Sequence, residues 1–266
     1  MQILRQQVGS FKQDIQIETG VHALMLRVSL PPTFGFNSNG TDDVFNKMTV
    51  EVNLNSASTG SKVIIPKIPV RDLFNMNTFE EGVFIADYNT VQGTFLIGEH
   101  NAALALTNGD NITLSYDGFP DNAIVDLFGI DAEERTSDYE HIEEVVFTGV
   151  KELNISDKKN FYIPITNDAG DGIQRVQIRY PNRTVTLEED EIMAQNIHSN
   201  GIVRISNQNI TNAGNGFSSP NGIAFGYDRL LRINVLNALS ITVTPRTKVP
   251  LSIYTVKTSS IHSKNN

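Results

Sequence analysis

Side chains able to do chemistry are scattered along this chain. There are five histidines, His22, His100, His141, His198 and His262. No two stand at i and i+4 or share a carboxylate cluster, so the spacing of a zinc site is missing. A solvated or core imidazole is the simpler reading of each. Glu188, Glu189, Asp190 and Glu191 form a run that could supply a general acid and base. They also stand where a helix would begin, and the helix dipole alone favours carboxylates there. Asp131, Glu133, Glu134, Asp138, Glu140, Glu143 and Glu144 could bind divalent cations, but a solvated acidic face accounts for them. Residues 167–172, NDAGDG, look like a calcium loop without the D-x-[DN]-x-[DN]-G spacing or the later Glu, and read as a turn. Asp117-Gly118-Phe119 has no kinase context. Cysteine is absent, and so are G-x-S-x-G, the P-loop and G-x-G-x-x-G. The expectation is a chain with no catalytic residue, no cofactor and no metal, hence not an enzyme.

The acidic run belongs to the stretch around which the chain is organised, Pro181 to Ile205. Thr184 to Leu187 reads as a short strand. Thr186 and Glu189 make a T-x-x-E capping box. Leu187, Ile192, Met193 and Ile197 supply one apolar helical face. Asn200-Gly201 turns the chain, and Ile202, Val203 and Ile205 open a new strand. The same order occurs at Lys62 to Ala86. Leu73-Phe74 correspond to Ile192-Met193, and Asp72, Asn77 and Gly82 to Glu191, Asn196 and Gly201, all at one offset. A shared offset across strand, helix and turn points to an internal repeat of about half the chain.

The chain's 266 residues suffice for one large or two ordinary domains. Its 19 glycines and 10 prolines are spread throughout, and Val, Ile and Thr dominate the apolar runs, a β-rich composition. Without disulfides, stability must come from burial and sheet pairing. A net charge of −9 and a pI near 5.0 leave no basic stripe for nucleic acid. The N-terminus, MQILRQQVGS, has no long apolar core and is not a signal peptide. No run approaches the ~18 apolar residues of a membrane span. Asn-x-Ser/Thr triplets at Asn39, Asn111, Asn154, Asn182 and Asn209 read as chance in an Asn-rich chain.

In order, residues 1–10 form a polar N-terminal arm, 11–118 a first all-β unit, 119–155 an acidic connector with an exposed helical turn or two, 156–257 a second β unit, and 258–266 a polar, frayed tail. Strands are expected at 14–18, 22–30, 48–54 and 90–98, with 102–106 and 112–116 joined as a hairpin by the Asn108-Gly109 turn. The second unit repeats this with strands at 161–165, 176–180, 184–187, 230–236, 239–243 and 251–256, the last two again joined as a hairpin. Two consecutive eight-stranded antiparallel jelly rolls, each with a short helix, fit this order. Two immunoglobulin-like sandwiches are the structural competitor, but they would carry no recurrent helix.

The arrangement resembles the double jelly-roll major capsid proteins of tailless, membrane-containing icosahedral phages, of the corticovirus-like type. The residues that carry it are 14–30, the T-V-E-V-N-L strand at 49–54, Ile68 to Phe74 leading to Gly82-Val83-Phe84, Val176 to Tyr180, the 184–205 unit and the closing pair within 239–256. The resemblance covers nearly the whole chain and lies in order and spacing. It implies a virion structural protein that trimerises, so that three copies of a chain with two barrels set six barrels around one axis as a pseudo-hexagonal tile. It further implies contacts with neighbouring trimers and with penton and minor capsid proteins, a base facing an internal viral membrane, short towers, and the helix-bearing loops at the barrel sides. Synthesis would be in the host cytoplasm. Arg5 with Met1, Ile3, Leu4 and Val8 suits an arm in contact with lipid or a membrane protein, and equally a free arm. Two other functions are kept open. One is a minor vertex or spike protein of a virion. The other is a carbohydrate-binding β-sandwich pair, for which Phe217, Phe225 and Tyr227 are the loop-adjacent aromatics of the second half and tryptophan is lacking.

Overall fold

The computed structural model describes residues 2–8, 13–31, 47–79, 84–86, 90–99, 101–155, 160–164, 172–199 and 230–261. The chain divides into two compact units, Met1–Ile142 with Thr258–Asn266, and Glu143–Lys257. Ten strands precede the boundary region: β1 (Gln2–Val8), β2 (Gln13–Ile17), β3 (Ala23–Ser29), β4 (Thr49–Ser56), β5 (Gly60–Pro69), β6 (Phe84–Ala86), β7 (Thr90–Leu96), β8 (Ala103–Leu104), β9 (Asn111–Asp117) and β10 (Ala123–Ile130). Then come β11 (Arg135–Thr136), β12 (Asp138–Phe147), β13 (Lys151–Leu153), β14 (Asn160–Pro164), β15 (Ile173–Tyr180), β16 (Arg183–Glu188), β17 (Leu230–Asn234), β18 (Ser240–Pro245) and β19 (Leu251–Ser260). Helix α1 (Val70–Phe79) follows β5 and helix α2 (Glu189–Ser199) follows β16.

The first unit holds sheets β1-β10-β3-β7-β6 and β2-β9-β4-β5, with a small parallel β8–β11 ribbon; the second holds β12-β19-β14-β17 and β13-β18-β15-β16. Leave out β6 and the ribbon, and number the strands along the chain within each unit. Both units then read first-eighth-third-sixth in one sheet and second-seventh-fourth-fifth in the other. This is jelly-roll connectivity, and it is the same twice, with a helix after the fifth strand each time. The internal repeat seen in the letters is therefore a repeat of topology.

Strict alternation builds the cores. Val50, Val52 and Leu54 of β4 are almost fully buried, as are Leu24, Leu26 and Val28 of β3 and Val125 and Leu127 of β10. The second core gathers Phe161, Ile163, Val176, Ile178, Ile233, Ile241, Val243 and Ile253. Each such side chain removed from water stabilises by about 1.5–3 kcal/mol. On the other face of β4, polar side chains bond along and across the sheet: Asn53 donates to Glu51 Oε1 at 2.8 Å, and Asn55 to Asn111 Oδ1 at 2.9 Å.

Several expectations are overturned by pairing. Residues 2–8 are not an arm: β1 lies antiparallel on β10 and closes the edge of the sheet. The segment 119–155 is not a connector with helical turns but holds β10 to β13, and the unit boundary falls inside β12. Neither expected hairpin forms. β9 pairs with β2 and β4, while β8 pairs with β11. β18 pairs with β13 and β15, while β19 lies between β12 and β14. In a jelly roll the last two strands belong to opposite sheets, and the Asn108-Gly109 turn only redirects the chain. Nor is all of the tail frayed: Thr258 to Ser260 complete β19, Ile261 is buried, and its N–H donates to Ser137 O at 2.8 Å. The turn at 200–201 and the strand at 202–205 lie outside the described residues, as do the loops at 33–46 and 206–222.

Candidate functional site

The two helices start at equivalent points of the repeat, each directly after the fifth strand of its unit. α1 is buried along its length from Val70 to Met76. Leu73 and Phe74 point into the core, and the Phe74 ring lies against Gly93 of β7, so close that no Cβ would fit there. Asn77 Nδ2 donates to Thr94 O. Arg71 and Asp72 pair at 3.1 Å, both about 4% exposed, which neutralises a buried charge that would otherwise be costly. α2 is amphipathic: Glu189, Ile192 and Asn196 are buried, while Asp190, Glu191, Ala194 and Gln195 are exposed.

The acidic run at 188–191 is structural, and its capping differs from the expected box. Thr186 stays in β16, paired with Gln177, so the helix begins later than a Thr186 cap requires. Glu191 Oε2 instead accepts the Glu188 N–H at 2.8 Å. Glu189 turns inward, where Oε2 accepts the Ile173 N–H at 2.9 Å and lies 3.6 Å from Arg246. Gly172 sits beside it with φ +118°, and a side chain there would strike the Glu189 carboxylate.

The other candidate residues do not converge. Asp131 bonds Arg135 at 2.5 Å, a hydrogen bond that holds its carboxyl below the usual range. Glu143 bonds Lys257 at 2.7 Å, and Glu144 accepts from Ser252 Oγ at 2.7 Å. Glu133 and Glu134 are exposed, while Asp138 and Glu140 are half-buried. His22 Nδ1 lies 3.3 Å from Ala102 O, and the His141 ring sits 6.0 Å from Tyr139. His100, His262, the His198 side chain and 167–171 lie outside the described residues. Asp117, the last residue of β9, bonds Lys67 at 2.6 Å, and Phe119 packs edge-on against Tyr116 at 5.2 Å, so the tripeptide is held by structural contacts. Among the described residues no three of His, Cys, Asp and Glu gather into a metal site, and no helix is long and apolar enough to cross a membrane.

Two buried carboxylates escaped the sequence reading. Asp126 of β10 is 2% exposed and accepts from Arg27 Nε of β3 at 2.9 Å, directly across the ladder. Asp110 is 6% exposed. Burial pushes its pKa up, but hydrogen bonds from the Thr107 hydroxyl and N–H, the Ala57 N–H and Ser56 outweigh it and hold the group at about 2. It ties the loop before β9 to the β4–β5 turn. A T-x-x-D spacing at Thr107 was the one available sequence signal for it.

In the second unit a cavity of about 420 Å³ opens between β16, α2 and β17, floored by Ile178, Leu187, Ile192 and Ile233 with Arg183 and Arg232 at its rim. Val146, Val150 and Val249, at turns or strand ends, are each at least half exposed.

Duplicated jelly-roll connectivity, with a helix after each fifth strand, defines the double jelly roll, and solved structures of that class match this chain nearly end to end. The crystal structure of the STIV MCP superposes with a TM-score of 0.58 at 9% identity, over 96% of this chain and 94% of that one. The major capsid protein P2 of Bacteriophage PM2 gives 0.52 at 11% identity, over 98% and 96%. The atomic structure of Sulfolobus Turreted Icosahedral Virus gives 0.53 at 8% identity, over 98% and 90%. No protein-family model matches the chain, and no curated protein sequence matches it. The fold is thus shared with viral major capsid proteins, at identities where only the fold carries over.

Proposed function

We propose that this chain is the major capsid protein of an icosahedral virion, forming homotrimers whose six jelly rolls make pseudo-hexagonal tiles around an internal membrane. The supporting observation is the duplication itself. Two units of one connectivity in one chain let a threefold assembly imitate sixfold packing, and the likeness to capsid proteins spans almost the full length of both chains. Its partners are then its own copies, neighbouring trimers, and the penton and minor proteins of the shell. Its location is the virion after synthesis in the host cytoplasm. The base of the tile faces lipid. Contacts within the trimer are large and apolar, above about 2,000 Å².

The mass of the purified oligomer tests this. A trimer is expected, and a chain that stays monomeric at micromolar concentration overturns it. Copy number separates the shell subunit from a minor vertex or spike protein, because a shell subunit dominates the virion protein by mass. The carbohydrate-binding alternative has less support. The strongly exposed large apolar residues among those described are all aliphatic, and Phe217, Phe225 and Tyr227 lie outside the described residues.

A further inference from the structure

We propose that the outer edge of β16 is a twofold contact between two copies of this chain, joining their β13-β18-β15-β16 sheets into one continuous antiparallel sheet. It stands on the edge itself and does not depend on the capsid reading. β16 is the last strand of its sheet, and among the described residues nothing pairs with its outer side. The turn before it has two residues, so Tyr180 and Arg183 exchange hydrogen bonds, as do alternate pairs beyond them. The main-chain groups of Arg183, Val185 and Leu187 therefore face β15, and those of Thr184 and Thr186 face outward. The Glu188 N–H obeys the same parity, since it turns away from β15 to the Glu191 carboxylate.

The first unit shows what a blocked edge looks like. β5 holds the equivalent place and carries Pro66, Pro69, Lys62 and Lys67, and its pairing with β4 shifts register twice. Prolines, lysines and bulges are the usual devices against edge-to-edge pairing. β16 has none of them: no Pro, no Lys, and six consecutive pairs with β15 without a shift.

The edge also complements itself. A twofold axis normal to the sheet keeps inner and outer faces aligned, so a residue meets only one of its own parity. Centred on Val185, this places Thr184 of each copy opposite Thr186 of the other, and all four outward N–H groups find carbonyls. Val185 meets Val185 on the inner face. Arg183 of each copy arrives beside the exposed carboxylates that open the other copy's α2, Asp190 and Glu191. Opposite charges meet at both ends.

Because the chain has no cysteine, Val185→Cys places a single thiol on the axis. Residues in a non-hydrogen-bonded pair stand about 4.5 Å apart at Cα, within disulfide reach. Under mild oxidation the variant should run at twice the chain mass on a non-reducing gel, while Val150→Cys, at an exposed turn, should not. Adding Thr186→Pro removes only an outward N–H and spares the β15 ladder; it should cut cross-linking about tenfold, the worth of roughly 1.4 kcal/mol, with the circular dichroism unchanged. If the proline perturbs folding, Thr186→Lys carries the same test by setting like charges on either side of the axis. Linking no greater than for Val150→Cys overturns the contact, whether the edge is then covered by another part of the chain or by another partner. So does linking that neither Thr186 variant reduces. Trimers without Val185 linking would sink this contact alone; linked pairs without trimers would sink the capsid reading alone.

Discussion

Replacing Glu189 with alanine should destabilise the second unit by about 2–3 kcal/mol, and the number follows from what the carboxylate touches. Its Oε2 is the acceptor for the Ile173 N–H, and Ile173 is fully buried, so no water can take over. A buried donor left unsatisfied costs about 1–3 kcal/mol. Loss of a negative charge in the first turn of α2 adds about 0.3–1 kcal/mol. The Arg246 contact contributes little, because at 3.6 Å and with the arginine half exposed it is a screened surface pair of about 0–1 kcal/mol. Glu189→Gln keeps an acceptor for Ile173 and should cost about 1 kcal/mol or less, and Arg246→Ala less than about 0.5 kcal/mol. The signature is thus a falling order of damage, from Glu189→Ala through Glu189→Gln to Arg246→Ala. Urea unfolding followed by far-ultraviolet circular dichroism measures it, since the chain has no tryptophan to report by fluorescence. A Glu189→Ala protein within about 0.5 kcal/mol of the parent, or an Arg246→Ala protein as damaged as Glu189→Ala, would refute the reasoning.

Asp110 makes the first unit acid-sensitive. Its folded pKa of about 2 lies below the unfolded value, so its stabilisation is complete above about pH 5 and is lost as pH falls through the folded pKa, about 2 kcal/mol in all. Asp110→Asn should lower stability at pH 7 and flatten the pH dependence across that window; an unchanged slope would count against it. Phe74→Ala should cost about 3–5 kcal/mol, and Gly93→Ala should also destabilise because its methyl group meets the ring. In the Phe74→Ala background Gly93→Ala should become nearly neutral, and a thermal-melt cycle in which the two costs simply add would show that they are not in contact.

The sequence by itself determined whatever is local in origin. Alternation in β2, β4 and β15 marked which side chains face a core, because a strand side chain has only two faces to choose from. The apolar spacing in Leu73-Phe74 and Ile192-Met193 marked both helices. Composition without cysteine excluded thiolate chemistry. Tertiary structure decided which strands become neighbours. The turn signals at 107–111 and 244–250 looked like hairpins, yet β9 and β18 find their partners in other parts of the chain. Residues 2–8 looked like a loose arm until the edge of β10 gave them a ladder. Glu189 looked like half of a capping box until β16 kept Thr186 in the sheet and the buried Ile173 N–H claimed the carboxylate. The reason is the same in each case. A side chain's preference for burial is written in its own chemistry, whereas a backbone N–H or C=O is alike at every residue and takes whichever partner the assembled fold brings to it.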